Sequence, residues 1–191
     1  RSSDLTKFGI NPVDMPKAKL IAQDYKLKII GINQHLGSLF MDGGIYIKGA
    51  KLLLDIARDF PNLEFIDIGG GFGIPYNKQK GEPRLELEKF GKKLSKTFES
   101  FAMDYGKDIC FKIEPGRYIT AECGVLLSSV HSIKNNHKTT YIGTDIGFNV
   151  LARPMLYDSH HDIEVYPVNE TISKAAFNEV TIVGNICESG D

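Results

Sequence analysis

The chain contains few cysteines and no long apolar run. Its three cysteines, Cys110, Cys123 and Cys187, are odd in number and widely spaced, which excludes a disulfide framework and a Cys-x-x-Cys metal pair. No stretch reaches the roughly 18 to 20 apolar residues that a membrane span needs. The opening segment RSSDLTKFGINP has no apolar signal region. We therefore expect a reducing compartment and a cytoplasmic location.

The sequence also lacks an excess of charge of either sign. The formal net charge is -1 at pH 7, so nothing draws the whole chain toward nucleic acid or an anionic membrane. No cluster of His, Cys and Asp has the spacing of a metal site, and His137, His160 and His161 are expected to be solvated loop residues. A hydrophobic content of 42% is typical of globular proteins, and the expected partner is a small molecule.

Strand-like apolar runs alternate with helix-like amphipathic segments in the first part of the chain. Each of three runs leads into polar or glycine-rich residues, and apolar residues at helical intervals lie between the runs. This alternation predicts an α/β fold with a parallel sheet. The predicted strands are Leu27–Ile32, Leu63–Ile68 and Ile109–Ile113, and the predicted helices are Pro16–Tyr25, Tyr46–Ala57 and Leu87–Phe101.

Beyond Arg117 the pattern changes to short β-branched runs separated by Asn, Gly and Pro. We predict that residues 1–120 form part of an α/β barrel and that residues 121–191 begin a β-rich domain. An eight-stranded barrel typically needs about 250 residues, so the units present here are too few to close one. The predicted strands of the second region are Val125–Val130, Thr140–Thr144, Ile163–Val168 and Val180–Val183, with a turn at Asn135-Asn136.

Polar or glycine-rich motifs follow the three predicted strands of the first region. The glycines of residues 67–73 can bring backbone N–H groups close to a phosphate, although a tight turn alone would also explain them. His35 can stack on a flat ligand while Ser38 donates to phosphate, and a structural histidine is the alternative. Glu114 and Arg117 follow the third strand, at the same sheet edge, where an ordinary salt bridge is the alternative. Three motifs at successive strand ends favour one shared pocket.

Two further motifs lie in the predicted β-rich region. Arg153 can form a bidentate pair with a carboxylate that Tyr157 also hydrogen-bonds, whereas a solvated arginine and a core tyrosine are the alternative. Cys187 and Glu188 combine a thiol that can carry a proton with a carboxylate. A cysteine near an apolar strand is also a common packing residue, so this alternative stays open.

Five short motifs occur in one order along the chain, namely H-x-G-S, D-I-G-G-G-F-G, E-P-G-R, R-P-x-L-Y and C-E-S-G-D. In this series the chain resembles the alanine-racemase-fold decarboxylases that use pyridoxal 5'-phosphate, and among them the diaminopimelate decarboxylases. The resemblance covers nearly the whole chain. It implies a cofactor-binding TIM-type (β/α)8 barrel, a β-rich C-terminal domain, and a homodimer with shared active sites.

The resemblance implies how the chain would hold the cofactor. His35 would stack on the pyridine ring, and Glu114 would bind the ring nitrogen and keep it protonated. Asp67 would support the site without touching the cofactor. The groups that would surround the phosphate are Ser38, Gly71, Gly116 and Arg117.

The resemblance also implies a reaction, in which meso-diaminopimelate loses carbon dioxide and gives L-lysine, the last step of lysine biosynthesis. Arg117, Arg153 and Tyr157 would bind the distal carboxylate of the substrate. Glu188 would bind its distal ammonium, and Cys187 would return a proton to the α-carbon, both serving the partner subunit's site. Ornithine and lysine lack the second carboxylate and would leave buried arginines unpaired, so diaminopimelate is favoured.

No lysine of the chain matches the Schiff-base lysine of the family, which lies on an early barrel strand. We therefore expect the chain to be part of a longer enzyme and to be inactive by itself. Two alternatives remain open. One is a related decarboxylase acting on lysine, ornithine or a carrier-linked amino acid, and the other is a non-enzymatic module that binds pyridoxal phosphate.

Overall fold

The computed structural model describes residues 8–168 and 179–191, which divide into two compact units. The first unit runs up to Ile74 and resumes over Pro83–Cys123, and the second comprises Pro75–Glu82 and Gly124–Asp191. Within the described ranges, no helix is both long and apolar enough to cross a membrane. The three cysteines are free thiols.

A three-stranded parallel sheet organises the first unit, which confirms the predicted α/β pattern. Its strands, in spatial order, are β1 (Gly31–Asn33), β2 (Phe65–Gly70) and β3 (Cys110–Glu114). β1 is shorter than predicted because its ladder begins only at Gly31, opposite Phe65. β2 extends through two glycines beyond its predicted end because Gly70 pairs with Glu114.

Helices precede, connect and follow these strands. They are α1 (Met15–Asp24), α2 (Gly43–Ala57), α3 (Leu87–Tyr105) and the short α4 (Gly116–Thr120). The side chain of Asp42 accepts a hydrogen bond from the Gly44 amide at 3.0 Å and so caps the start of α2. Gly106 ends α3 in the left-handed conformation, with φ of 70°. The three predicted helices are confirmed, with ends that differ by a few residues.

The core of the first unit forms where α2 packs against α3 and β2. Ile66 and Ile68 of β2 are fully buried, and each contributes about 1.5–3 kcal/mol by leaving water. Tyr46, Phe72 and Phe90 form an aromatic cluster with ring centroids 5.0 to 5.7 Å apart. The apolar helical spacing of the sequence therefore corresponds to one buried helix face.

The second unit contains a hairpin and one parallel strand. Its elements are β4 (Val130–Asn136), β5 (Thr139–Thr144), the helix α5 (Arg153–Tyr157) and β6 (Thr181–Val183). β4 pairs antiparallel with β5, and β6 pairs parallel with β5. The predicted strands at 140–144 and 180–183 are confirmed to within one residue at each end.

Two predicted strands of the second unit are wrong. Residues 125–129 and 163–168 form no strand, and Val125 and Val165 are 87% and 80% exposed. A β-branched run forms a strand only where a neighbouring strand pairs with it. Among the described residues, no strand pairs with either segment. The polar residues of β4 are paired instead, because a tight turn at His137, with φ of 47°, folds them onto β5. The turn therefore lies just after the predicted Asn135-Asn136.

Arg153–Tyr157 also differs from the predicted β-rich character, because it forms the helix α5. Pro154 lies in the first turn of α5, where its missing N–H is not needed and its fixed φ suits a helix start. The proline at the helix start thus favours a helix here, although the surrounding residues are of the β-rich type.

Candidate active site

The glycine-rich segment contacts the loop that carries His35. Gly69 has a φ of 81°, and a Cβ atom at this position would lie 2.1 Å from the Gln34 carbonyl oxygen. It would also lie 3.4 Å from the Cα atom of His35. Only glycine allows both the left-handed conformation and this close approach. The motifs that follow β1 and β2 are therefore adjacent.

The motif after β3 lies on the other side of the same segment. Gly70 pairs with Glu114, and a Cβ atom on Gly70 would lie 2.2 Å from the Glu114 carbonyl oxygen. The side chain of Glu114 is exposed, and Gly116 and Arg117 begin α4 directly after it. Since the strands are parallel, their carboxyl ends bring His35, the glycines and Glu114 to one edge of the sheet.

Gly71 joins the glycine-rich segment to the loop that contains Ser38. Its carbonyl oxygen accepts a hydrogen bond from the Phe40 amide at 2.8 Å. Gly71 has a φ of 99°, and a Cβ atom there would lie 2.3 Å from the Gly37 carbonyl oxygen. Residues 37–40 and 69–71 therefore form a close contact, in which the Gly37 carbonyl and the Phe40 ring pack against Gly71.

Two side chains hold the backbone of Gly69 in place. The hydroxyl of Tyr46 donates to the Gly69 carbonyl at 2.7 Å, and the carboxylate of Asp67 accepts from the Gly69 amide at 2.9 Å. Asp67 therefore acts on the segment, in line with the supporting role implied for it. The helical spacing of the sequence predicts Tyr46 only as part of a helix, and a buried tyrosine in place of phenylalanine is the signal that points to a hydrogen-bond partner.

The surroundings of Tyr46 keep its hydroxyl protonated. Tyr46 is 1% exposed. Burial is the largest cause that raises the pKa of Tyr46 above its usual range, followed by the negative charges of Asp67 and Glu114. The hydroxyl is therefore a permanent donor to the Gly69 carbonyl.

Among the candidate residues of the second unit, Arg153 has a guanidinium that several side chains contact. Nη1 of Arg153 lies 3.1 Å from Nε2 of His161, and Nη2 donates to the Ser159 hydroxyl at 3.3 Å. The guanidinium carbon lies 4.5 Å from the ring centroid of Tyr76. No carboxylate of the described residues lies within ion-pair distance of Arg153. Its charge is therefore not neutralised within that part of the chain.

His161 differs from its expected role as a solvated loop residue. It is half-buried, and its ring meets the Tyr76 ring edge-on at 5.2 Å. Burial, the charge of Arg153 and the neighbouring His160 together lower the pKa of His161. His160 is exposed and pairs with Asp162 at 2.8 Å. No residue spacing predicts this role, because the path of the loop brings His161 back to Arg153.

The other predicted residues of the second unit are exposed. Tyr157 lies one helical turn after Arg153 on α5, which puts both on one helix face. Cys187 is an exposed thiol, so the packing alternative for it is wrong. The carboxylate of Glu188 accepts from the Ser189 amide at 3.0 Å.

Asp191 anchors the segment that carries Cys187 and Glu188. Its carboxylate accepts hydrogen bonds from the amide of Ile186 at 2.6 Å and from the amide of Phe148. A Cβ atom on Gly147 would lie 2.5 Å from this carboxylate, so a glycine allows the contact. Asp191 ends the C-E-S-G-D motif, but its partner Phe148 is remote along the chain, so the motif alone does not predict this anchoring.

Comparison with known proteins identifies the family. Residues 1–121 match the family described as pyridoxal-dependent decarboxylase, pyridoxal binding domain. The chain belongs to this family. Its cofactor is pyridoxal phosphate, as the resemblance implied.

The relatives of this decarboxylase-family chain include several diaminopimelate decarboxylases. That of Methanothermobacter thermautotrophicus is 35% identical over 198 residues, which cover 98% of this chain and 44% of the relative. That of Escherichia coli K12 is 31% identical, covering 97% of this chain and 44% of the relative. The chain therefore spans less than half the length of these curated relatives.

Solved structures give the same grouping. A crystal structure of a diaminopimelate decarboxylase has a TM-score of 0.87 at 32% identity, covering 97% of this chain and 44% of that one. The Helicobacter pylori diaminopimelate decarboxylase complexed with L-lysine has a TM-score of 0.80 at 28% identity, covering 98% and 44%. Lysine decarboxylase from Selenomonas ruminantium has a TM-score of 0.76 at 26% identity, covering 98% and 47%.

The first unit fits the cofactor of the family. At Gly69 and Gly71 a Cβ atom would meet the Gln34 and Gly37 carbonyl oxygens, so only glycines let this segment approach the loop that carries His35 and Ser38. Ser38 supplies a hydroxyl donor that suits a phosphate. A carboxylate, Glu114, and an imidazole, His35, flank the same glycine segment. These are the donor types that suit a pyridine nitrogen and a pyridine face.

Proposed function

We propose that the full-length protein containing this chain decarboxylates meso-diaminopimelate to L-lysine and carbon dioxide, the last step of lysine biosynthesis. The main support for this proposal is the environment of Arg153. Its guanidinium has neutral neighbours and no carboxylate partner among the described residues. Such a site suits a substrate with a second carboxylate. The similarity to diaminopimelate decarboxylases along nearly the whole chain supports the same substrate.

We propose that the first unit holds pyridoxal 5'-phosphate. Ser38, Gly71 and the backbone of Gly116 and Arg117 would bind the phosphate. His35 would contact the ring face, and Glu114 would accept from the ring nitrogen and keep it protonated. When bound, the cofactor supplies a sink for the electron pair that remains when carbon dioxide leaves. The adjacency of the glycine segment to His35 and Glu114 supports these assignments.

We also propose residues that would act on the substrate. Arg117, Arg153 and Tyr157 would bind the distal carboxylate, and Glu188 the distal ammonium. Cys187 would return a proton to the carbon that has lost carbon dioxide. Because Cys187 and Glu188 are exposed, they could reach the active site of the partner subunit in a homodimer.

We further propose that the parallel sheet is part of a (β/α)8 barrel covering residues 1–120, followed by a β-rich domain from residue 121. The edge strand β3 exposes 46% of Ile113, which suits further strands beside it.

The free cysteines suit a reducing cytoplasm. Size measurement by light scattering tests the dimer, and cell fractionation tests the location.

An assay of the purified full-length protein tests the reaction. We expect release of carbon dioxide from meso-diaminopimelate with pyridoxal phosphate, and formation of L-lysine in equal amount. Arg153→Lys should raise KM for diaminopimelate, because an ammonium cannot form the bidentate pair. Absence of turnover with every amino acid tested would favour the non-enzymatic binding module.

The similarity to a lysine decarboxylase makes L-lysine a second candidate substrate. A panel of diaminopimelate, L-lysine, L-ornithine and a carrier-linked amino acid separates the candidates. We expect turnover of diaminopimelate and little of the amino acids without a distal carboxylate. Preferred turnover of L-lysine or L-ornithine would replace the proposed substrate.

The cofactor assignments have a readout that does not depend on turnover. Glu114→Gln should keep pyridoxal phosphate bound but shift its visible absorbance, because the ring nitrogen loses its anionic partner. Gly71→Ala should lower the amount of cofactor retained after dialysis, since a Cβ atom would collide with the Gly37 carbonyl oxygen and displace the loop that carries Ser38. Unchanged absorbance and retention in both variants would contradict the assignments.

A further inference from the structure

We propose that His161 is a positioning residue that orients the Arg153 guanidinium and so sets the affinity for the substrate carboxylate that is not removed. This inference rests on the function proposed above. It assigns a specificity role to a residue outside the five sequence motifs.

The guanidinium of Arg153 is held from three directions. His161 and Ser159 contact its two terminal nitrogens at 3.1 and 3.3 Å, and the ring of Tyr76 lies 4.5 Å from its central carbon. An arginine side chain is flexible, so such contacts are needed to hold it in one geometry. These contacts use only two of the five N–H donors of an arginine, which leaves others for a bidentate carboxylate.

The contact between Arg153 and His161 requires a neutral imidazole. The guanidinium is a donor only, so Nε2 of His161 must accept the hydrogen bond. Half-burial is the largest cause that lowers the pKa of His161, followed by the two charged or titratable groups that face it, Arg153 and His160. The phenol ring of Tyr76 packs edge-on against the imidazole, and Asp162 is paired with His160. These surroundings disfavour the protonated form of His161.

A neutral acceptor is suited to this position. An acidic residue in place of His161 would neutralise Arg153 and compete with the carboxylate of the substrate. A side chain without an acceptor would let the guanidinium rotate about its flexible stem. The imidazole orients the guanidinium while its full charge stays available to a ligand.

The test compares two small molecules in the full-length holoenzyme. L-lysine carries the carboxylate that diaminopimelate retains after the reaction, whereas cadaverine is the same diamine without it. We expect His161→Leu to raise the inhibition constant of L-lysine about tenfold and to leave that of cadaverine unchanged. KM for diaminopimelate should rise by a similar factor, with kcat within about twofold.

Two further variants complete the design. His161→Gln keeps an acceptor near the position of Nε2 and should restore most of the lysine affinity. His131→Leu removes an exposed histidine of the same unit, which contacts the Thr144 carbonyl, and should match the wild type. In the wild type, the lysine affinity should fall as the pH is lowered through the protonation of His161, and this dependence should be weaker in His161→Gln.

The outcomes separate this inference from the proposed function. If His161→Leu binds L-lysine like the wild type, or weakens L-lysine and cadaverine equally, the positioning role is wrong. If His161→Leu does not fold, equal pH dependence of lysine binding in the wild type and His161→Gln overturns it. A wild type that neither turns over diaminopimelate nor binds L-lysine overturns the proposed function itself.

Discussion

Tyr46 connects the apolar core of the first unit with the candidate cofactor site. Its ring packs against Phe72 and Phe90, while its hydroxyl bonds the carbonyl of Gly69. A buried carbonyl without a donor is costly, so this hydroxyl is needed in the core. Core packing and the geometry of the glycine segment are therefore linked through one residue.

Replacing Tyr46 with Phe should lower the free energy of unfolding by about 1–2 kcal/mol, because the Gly69 carbonyl loses its donor. Urea unfolding of the full-length protein measures the change. Tyr25→Phe is the control, since Tyr25 is 74% exposed and its loss of a hydroxyl should leave stability unchanged. Equal stability of both variants would contradict the role of Tyr46.

The same residue predicts a response to alkaline pH. The folded protein raises the pKa of Tyr46, so the unfolded chain releases this proton first, from about pH 10 upward. The stabilising effect of the protonated hydroxyl is full below that pH and is lost as the pH rises above it. Tyr46→Phe should therefore lose less stability between pH 9 and 11 than the wild type, as urea midpoints would show.

At the scale of elements, glycines have different roles in loops and helices. Gly71→Ala should destabilise the protein by about 2 kcal/mol or more, because φ of 99° and contact with the Gly37 carbonyl exclude a Cβ atom. Gly91 lies inside α3 with open space around it, so Gly91→Ala should stabilise by about 0.5–1 kcal/mol. Thermal unfolding of both variants checks the opposite signs, and a shared sign would refute this distinction.

Asp145 fastens the segment before β4 to the end of β5. Its carboxylate accepts from the Ser128 hydroxyl at 2.7 Å and the Ser129 amide at 2.9 Å. The Ser128 hydrogen bond is the largest cause that lowers the pKa of Asp145 in the folded state.

The lowered pKa of Asp145 sets the sign of its pH dependence. Its stabilising effect is present above the unfolded pKa, near 3.8, and is lost as the pH falls through the lower folded value. Asp145→Asn should therefore reduce the acid-dependent part of the stability. Denaturant midpoints from pH 7 to 3 measure this, and an unchanged acid slope would contradict it.

At the scale of the molecule, many apolar side chains remain exposed on the described residues. Examples are Leu27 at 65% and Ile113 at 46% in the first unit, and Leu127 at 79% in the second. Contacts with further protein would remove such side chains from water. In our proposal these contacts are the rest of the barrel, the remainder of the β-rich domain and a partner subunit.

We therefore expect the isolated 191-residue chain to be far less stable than the full-length protein and to associate in solution. Light scattering and binding of a hydrophobic dye compare the two at equal concentration. A monomeric chain with cooperative unfolding and little dye binding would contradict the proposed architecture.

Several features of the fold and the candidate site follow directly from sequence patterns. The helices α2 and α3 are marked by apolar residues at helical spacing, and the parallel strands by apolar runs that end in polar motifs. Parallel strands share one carboxyl edge, so the adjacency of His35, the glycines and Glu114 is predictable from the sequence alone. Periodicity and strand direction are local properties, which a single sequence carries.

Other features depend on long-range contacts that only the tertiary structure decides. The exposed run at Val125 is not a strand while the polar β4 is one, because pairing with β5 determines strand formation. Three polar contacts also join residues that are apart along the chain. They are the hydrogen bond of Tyr46 to Gly69, the anchoring by Asp191, and the contact of His161 with Arg153. The sequence by itself thus determined the helices and parallel strands of the first unit and the motif order, whereas the correct set of elements in the second unit and the polar partners of the site required the folded chain.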